Sequence, residues 1–297
     1  MRDFTLILCL VCLNCIPPIA ANPACDGHPL PGILDDKIGH AYALFVGVNT
    51  PSSGLGTLEH PANEAREMFR IFKDQCYQAD TLLNEKATYK AIVSYIDTCG
   101  RRDTKKNKLL DSDRILFYFS GHGTLNSSPS AIAKEPSLSS GDASRRPFEF
   151  YLHICRETND SSASVLRSSE LLDRLVNTGA YQVIAIFDAC EAGVQRPAIV
   201  PINAFYNRLM VEKGLFVLSS WERTVEEKVY AGAIKEGLQG WSNRNIDRND
   251  DHQIDAFELI QYVNNQVSKN INPYGEAYRA NVIYIGGGSM VLTVKPK

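Results

Sequence analysis

The sequence predicts an α/β protein with a mostly parallel central sheet and helices on both faces. Short apolar runs rich in β-branched and aromatic residues alternate with amphipathic helical patterns along the chain. Runs such as 115–119 and 183–187 are apolar at every position, which is typical of strands buried on both faces of a parallel sheet. With 297 residues, 44% hydrophobic and 22% charged, the chain can bury a substantial core.

The first part of the chain has βαβα order. A strand at 41–48 is followed by a Pro/Ser/Gly turn and a helix from about Ala62. The apolar face of that helix has helical spacing and consists of Ala65, Met68, Phe69 and Phe72. A strand near 81–83 and a helix around 88–96 complete this part.

The remaining elements continue the alternation. After the strand at 115–119, a polar stretch at 124–147 predicts a flexible loop, because it has too little apolar surface to offset the entropy of ordering. A strand at 148–154 and a helix with Leu171, Leu172, Leu175 and Val176 on one face precede the strand at 183–187. The predicted order then ends with a strand at 215–218, helices at 231–238 and 256–267, and short strands at 283–285 and 291–294.

The amino terminus has the three zones of a secretory signal. Arg2 precedes an apolar stretch at 4–13, and Pro17 to Ala21 supplies the small residues of a cleavage site. A membrane anchor is the alternative, but the stretch is well short of the ~20 residues of a spanning helix. We therefore predict a signal peptide at 1–21, an N-terminal segment at 22–40 and one domain at 41–297. The expected location is the secretory-pathway lumen, the periplasm or the medium, with no stable membrane span after signal removal.

Cysteine count and net charge narrow the classes further. Removing the signal leaves five of the eight cysteines, Cys25, Cys76, Cys99, Cys155 and Cys190, and an odd number leaves one thiol over. If Cys190 is the free thiol, the other four are either two disulfides, with three possible connectivities, or buried free thiols. A net charge of −3 without a long basic run excludes a nucleic-acid footprint, and nothing in the sequence defines an oligomeric state.

An imidazole and a thiol follow two of the predicted strands. His122 comes after the strand at 115–119 between two glycines, and Cys190 comes after the strand at 183–187. Groups placed beyond the carboxyl ends of neighbouring parallel strands converge on one crevice. An imidazole can raise the thiolate fraction of a nearby cysteine, which makes the pair a nucleophile with its own base. The backbone amides of Gly123 and Cys190 are candidates for an oxyanion hole.

At these positions the chain resembles the caspase-like cysteine peptidases, the grouping that holds caspases and metacaspases. Phe-Ser-Gly-His-Gly at 119–123 and Asp-Ala-Cys-Glu-Ala-Gly at 188–193 are similar to the family's histidine and cysteine motifs. Segments at 44–49, 61–65, 113–115 and 237–240 are similar to its other landmarks, in the same order. The resemblance implies a caspase/hemoglobinase fold and hydrolysis of protein or peptide substrates by His122 and Cys190, with no cofactor required for the chemistry.

Three residues are candidates for substrate binding. Asp188 matches the acid that lines the first specificity pocket in metacaspase-type proteins, which implies cleavage after Arg or Lys. A carboxylate there would pair a guanidinium bidentately. The alternative is that Asp188 only caps the strand-end turn. Ser220 and Trp221, after the strand at 215–218, are candidates for a pocket wall or for core packing.

An acidic loop at 247–258 has the spacing of an EF-hand calcium loop. Oxygen-bearing side chains occupy the ligand positions, and a helix with an apolar face follows at 256–267. The predicted calcium ligands are Asp247, Asn249, Asp251, Gln253, Asp255 and Glu258. His252 stands where glycine normally makes the sharp turn, and the alternative is a loop that binds no metal.

Two further functions remain compatible with the sequence. One is a transpeptidase or ligase of the wider legumain-like clan, in which an amine rather than water resolves the acyl-enzyme. The other is a catalytically idle caspase-like module that recruits partners through the acidic loop or its surface.

Overall fold

A computed structural model describes residues 39–99, 113–124, 150–157, 164–189, 214–220, 229–269, 280–285 and 290–295. Its centre is a six-stranded sheet in the order β10-β8-β7-β3-β1-β2, in which five strands are parallel and β10 is antiparallel. These strands are β1 Ala41–Gly47, β2 Gln78–Leu83, β3 Arg114–Gly121, β7 Gln182–Ala189, β8 Gly214–Ser220 and β10 Ala280–Ile285. The predicted α/β class with a mostly parallel sheet is confirmed.

Five α-helices in the described part of the chain cover the sheet. They are α1 Pro61–Asp74, α2 Tyr89–Cys99, α3 Ser168–Asn177, α4 Val229–Leu238 and α5 Ala256–Val267. A 3₁₀ turn at Asn84–Lys86 follows β2. All five α-helices lie where the hydrophobic spacing predicts them, since each buries one apolar stripe.

Successive strand side chains alternate between two hydrophobic cores. On β3, Phe117 and Phe119 face the core shared with α2 and α3, whereas Leu116 and Tyr118 face the core shared with α1, α4 and α5. Strands β1, β3 and β8 are buried along their whole length, which explains why their sequences are almost continuously apolar. Asp188 falls on the α1 and α4 side, because Ile186 faces that core and the alternation has a period of two.

The close approach of α1 to β1 depends on Gly47. A Cβ atom at Gly47 would lie 2.5 Å from the carbonyl oxygen of Pro61 and 2.7 Å from the Cα of Ala62. Asn49, two residues later, accepts the Ala62 amide with its side-chain oxygen at 2.9 Å. The start of α1 is therefore held directly against the carboxyl end of β1.

The described residues also form two smaller sheets. One is antiparallel, in the order β4-β5-β6, with strands Gly123–Thr124, Tyr151–His153 and Val165–Arg167; the other pairs β9 Gln253–Asp255 with β11 Val291–Val294. Within the predicted strand at 148–154, residues 151–153 form β5 in the small antiparallel sheet, and 148 and 149 lie outside the described residues. Strands β4, β6 and β9 have two or three residues each, too few to produce a recognisable hydrophobic period.

Several predicted features lie outside the described residues. These are the signal peptide at 1–21, the N-terminal segment at 22–40 apart from its last two residues, and the polar loop apart from Thr124. No helix in the described ranges combines the length and the apolar character that crossing a bilayer would need.

The state of the cysteines contradicts one of the two predicted arrangements, that of two disulfides. Cys99 and Cys155 are buried and form no disulfide, so two disulfides among Cys25, Cys76, Cys99 and Cys155 are not formed. Both pack into the core of the α2 and α3 face, where cysteine acts as a small hydrophobe. Cys76 is disulfide-bonded, and its partner lies outside the described residues.

Candidate functional site

The sheet register brings the two motif-bearing strands together. Strands β3 and β7 are parallel neighbours, with Ser120 beside Asp188 and Gly121 beside Ala189. His122 and Cys190 are the next residues on these adjacent chains. Cys190 itself lies outside the described residues, as does Trp221. The described strand ends meet at one edge, as the sequence predicts.

The turn that presents His122 requires glycine before it. Gly121 has φ 156°, and a Cβ atom there would lie 2.9 Å from the Cζ atom of Phe119. Both the positive φ and the close approach to the ring disfavour a side chain. The chain can therefore leave β3 at Gly121 and enter β4 at Gly123 with His122 between them.

A backbone carbonyl holds the His122 ring. The Nε2 atom of His122 lies 2.7 Å from the carbonyl oxygen of Gly56, in the segment between β1 and α1. Since a carbonyl oxygen only accepts, Nε2 must carry the proton in this bond. The neutral ring then has Nδ1 as its acceptor nitrogen. The ring is partly exposed, so it can reach a substrate.

A second histidine lies beside the first and was missed by the sequence reasoning. His153 on β5 is 3% exposed, and its backbone N–H donates to the carbonyl oxygen of His122 at 3.0 Å. Its ring bonds the hydroxyl of Ser53 at 2.7 Å and that of Thr124 at 2.9 Å. Burial, and secondarily the neighbouring His122, lowers its pKa to about 4. An imidazole between Leu152 and Ile154 in an apolar strand was the available signal.

Asp188 pairs with a carboxyl group from α1. It is hydrogen-bonded to Glu64, whose Oε2 also accepts the Ser120 hydroxyl at 2.7 Å. Desolvation first, and then the adjacent Glu64 charge, raises the pKa of Asp188 well above its usual range. The sequence offered a signal for Glu64, because the helix that follows β1 begins at the same sheet edge as His122.

Two tyrosines complete this acidic cluster. Tyr118 and Tyr230 are almost fully buried, and burial together with the Asp188 charge raises the pKa of each phenol well above its usual value. Among the described residues, the Tyr230 hydroxyl has no hydrogen-bond partner. The cluster thus joins two carboxyl groups to an unused phenolic oxygen.

A pocket of about 240 Å³ opens between α1 and α4 next to the cluster. Glu64 lines it from α1, and Ala231 and Gly232, which follow Tyr230, line it from α4. An ion pair between Lys235 and Glu67, with N and O atoms 2.6 Å apart, joins the two helices beside it. The net acidic lining suits a basic side chain.

Ser220 is buried and uses its hydroxyl within the protein. It is 3% exposed and donates to the carbonyl oxygen of Ala189 at 2.5 Å. This bond fixes the peptide unit directly before Cys190. Ser220 thus supports the end of β7, in addition to any contact with the pocket wall.

The acidic loop is preorganised by its own backbone. Asp247 is 1% exposed and accepts the amides of Asp251 and His252, while the side chain of Glu258 accepts the amides of Arg248 and Asp255. His252 has φ 62°, the left-handed conformation that glycine usually supplies in an EF-hand loop.

Not all predicted calcium ligands cluster. Donor atoms of Asp247, Asp250 and His252 lie within 4.8 Å of one another, and Asp250 and His252 are outside the predicted set. Burial raises the pKa of Glu258, with smaller contributions from the charges of Asp255 and Asp247. Each carboxylate oxygen that accepts one amide keeps a lone pair, so the loop remains compatible with a cation. Calcium binding stays a prediction.

Comparison with known proteins agrees with this arrangement. The chain is similar to the crystal structure of protein GSU0716 from Geobacter sulfurreducens, with a TM-score of 0.51, 14% identity, and 84% of this chain and 95% of that chain covered. At this identity the likeness concerns the fold alone. No curated protein has significant sequence similarity to the chain. The family model described as the caspase domain, of peptidase family C14, matches residues 40–272. The chain therefore belongs to the caspase-domain family.

Proposed function

We propose that this chain is an exported cysteine endopeptidase that cleaves after Arg or Lys. One observation carries the catalytic part of the proposal. His122 is held by the Gly56 carbonyl at the end of β3, while Cys190 directly follows Ala189, the register partner of Gly121 on β7. Family membership supports a cysteine-peptidase type of chemistry on protein substrates.

In this proposal the Cys190 sulfur attacks the carbonyl carbon before the scissile bond, and the thiol proton passes to Nδ1 of His122. The imidazolium then gives the proton to the departing amine, leaving an acyl-enzyme thioester. Water resolves the thioester, again with His122 as base, and releases the acid and the free thiol. The Gly56 carbonyl favours this role because it holds the Nε2 proton and stabilises the imidazolium.

The geometry of β4 supports the Gly123 amide as an oxyanion donor. The His153 amide donates to the His122 carbonyl, so His122 and His153 form a hydrogen-bonded pair of the antiparallel ladder. The next pair, Gly123 with Leu152, is of the non-bonded kind. The Gly123 N–H consequently points away from β5 and is available to a substrate oxygen, together with the proposed Cys190 amide.

The acidic cluster supports specificity for a basic side chain. Asp188 and Glu64 share a desolvated site in which the pKa of Asp188 is raised, and a cation placed between the two groups would favour the charged form of Asp188. A guanidinium can pair both carboxylates and use the Tyr230 hydroxyl oxygen as a further acceptor. An ammonium is a more compact point charge and matches this planar arrangement less well. We therefore propose Arg ahead of Lys.

Fluorogenic peptides ending in Arg, Lys or Asp before the reporter test the proposal. We expect turnover of the Arg and Lys peptides and none of the Asp peptide, and loss of all turnover in Cys190→Ala. Preferential cleavage after Asp would contradict the specificity, and an active Cys190→Ala variant would contradict the mechanism. Mass spectrometry of the products separates hydrolysis from ligation to an added amine. Failure of Cys190 to react with an acyloxymethylketone probe would indicate an idle module.

A further inference from the structure

His153 bridges two parts of the chain that meet at His122. On one side are the His122 carbonyl, which accepts the His153 amide, and the Thr124 hydroxyl, 2.9 Å from Nε2 of His153. On the other side is the Ser53 hydroxyl, 2.7 Å from Nδ1. Ser53 lies three residues before Gly56, whose carbonyl holds the His122 ring.

The segment that carries Gly56 is held by hydrogen bonds on both sides of that residue. Residues 50–59 contain no helix or strand, and Gly56 is exposed. After Gly56, the Thr57 hydroxyl bonds the Thr50 hydroxyl, the Asn49 carbonyl accepts the Leu58 amide, and the Asn49 side chain donates to the Glu59 carbonyl. Before Gly56, residues of β5 and just after it make three hydrogen bonds to the segment besides the one to Ser53. They join Ile154 to Ser52, Cys155 to Thr50 and Arg156 to Ser52. Of these four, the Ser53 bond is nearest to Gly56 in the chain.

We propose that His153 is a positioning residue for His122. By linking Ser53 to Thr124 through one buried ring, it sets the distance between the Gly56 carbonyl and the His122 imidazole. Its importance for turnover rests on the proposed peptidase function, whereas its effect on the His122 ring does not. Burial keeps the pKa of His153 low, so its ring stays neutral near neutral pH.

Two matched substitutions separate the two bonds. The side-chain amide of Asn lies near the place of Nδ1 and that of Gln near the place of Nε2. His153→Asn should therefore keep the Ser53 bond, and His153→Gln should keep only the Thr124 bond. Ser53→Ala deletes the same link without altering the core. Thr57→Ala is the control, because it removes a hydroxyl next to Gly56 whose partner among the described residues is the Thr50 hydroxyl.

We expect His153→Gln and Ser53→Ala to lower kcat on the order of 10- to 100-fold at unchanged KM, since misplacement of a catalytic group affects the transition state alone. The double variant should lose no more than the worse single variant. His153→Asn and Thr57→Ala should stay within a few-fold of wild type. ¹⁵N NMR of the full chain should show His122 as the Nε2–H tautomer in wild type and as a mixture in His153→Gln and Ser53→Ala.

The proposal is overturned if both variants keep wild-type kcat and the wild-type His122 ¹⁵N shifts, or if Thr57→Ala is as damaging as Ser53→Ala. It is also overturned if kcat falls only in proportion to the loss of folded protein. If the wild-type chain hydrolyses no peptide, the proposed function fails, and the NMR comparison still decides the positioning role.

Discussion

The Nε2 atom of His122 lies 2.7 Å from the carbonyl oxygen of Gly56, which belongs to a segment 66 positions earlier in the chain. In the proposed mechanism this backbone carbonyl takes the orienting role that a carboxylate plays in a three-membered catalytic arrangement. Because a carbonyl cannot itself be protonated near neutral pH, the tautomer of His122 is set by geometry alone.

The cysteines should differ sharply in reactivity. Cys99 and Cys155 are buried, and burial raises the pKa of the Cys155 thiol, so both should be protected from alkylation. Iodoacetamide at pH 7 should modify Cys190 first, and turnover should fall in proportion to the alkylation of Cys190. Peptide mapping measures the site, and Cys99→Ala serves as the control with unaltered turnover. Alkylation of Cys155 that matches the loss of turnover would contradict the assignment.

Asp188→Asn should separate stability from function. The pKa of Asp188 is raised in the folded state, so the folded protein binds the proton more tightly than the unfolded chain. Ionisation of Asp188 therefore destabilises the fold as pH rises from about 4 through the raised folded-state pKa. Asn removes this penalty, and we expect a gain of roughly 0.5–2 kcal/mol at pH 7 that shrinks in acid.

Urea unfolding at pH 7 and pH 4.5 measures the gain in Asp188→Asn, and peptide reporters should show that Arg and Lys cleavage is lost. Glu64→Gln is the matched variant from the other side of the pair. A variant that is destabilised equally at both pH values and cleaves Arg peptides normally would show that Asp188 only caps the turn.

Alanine substitutions of Gly121 and Gly56, which lie on the two sides of the His122 hydrogen bond, should differ in their effect on stability. Gly121→Ala meets both a φ of 156° and the Phe119 ring, and we expect a loss of about 1–3 kcal/mol in the free energy of unfolding. Gly56→Ala keeps the carbonyl, and its Cβ meets no atom within 4 Å. Thermal unfolding should show a lower Tm for the first and an unchanged Tm for the second. Equal Tm values would contradict the turn geometry.

His153 should make the free energy of unfolding decrease as the pH falls. Its pKa falls from 6.5 to about 4 on folding, so the unfolded chain binds the proton more tightly. The neutral His153 ring contributes fully to the free energy of unfolding above pH 6.5. This contribution declines by about 1.4 kcal/mol per pH unit as the pH falls towards 4. The stability difference between wild type and His153→Gln should therefore narrow between pH 6.5 and pH 4. Parallel stability curves from urea unfolding would contradict this.

Calcium should bind the acidic loop with about one ion per chain if the EF-hand interpretation is correct. Titration calorimetry should detect this uptake, and calcium should raise the Tm of wild type. Asp251→Ala is suited to the test because Asp251 is exposed, unlike the buried Asp247. The variant should lose the heat signal and keep its fold. No uptake by the wild-type chain would remove the site.

The sequence by itself determined the α/β class, the order of the principal strands and helices, and the ends of β3 and β7 as the meeting place of two motifs. These features have a local cause, because burial of a strand or helix on one or two faces requires apolar residues at regular positions along the sequence. The bounds of α5 and β11 agree with the hydrophobic pattern to the residue. The family resemblance, carried by short motifs around His122 and Cys190, agrees with the caspase-domain match.

Only the tertiary structure decided which groups, distant in sequence, contact the residues of those motifs. The Gly56 carbonyl beside His122, the Glu64 carboxyl beside Asp188 and the Ser53 hydroxyl on His153 join residues 66 to 124 positions apart. The same holds for β5, whose apolar run suits either sheet and joins the small antiparallel one. Such contacts depend on how loops close and elements pack, and neither process leaves a period in the sequence.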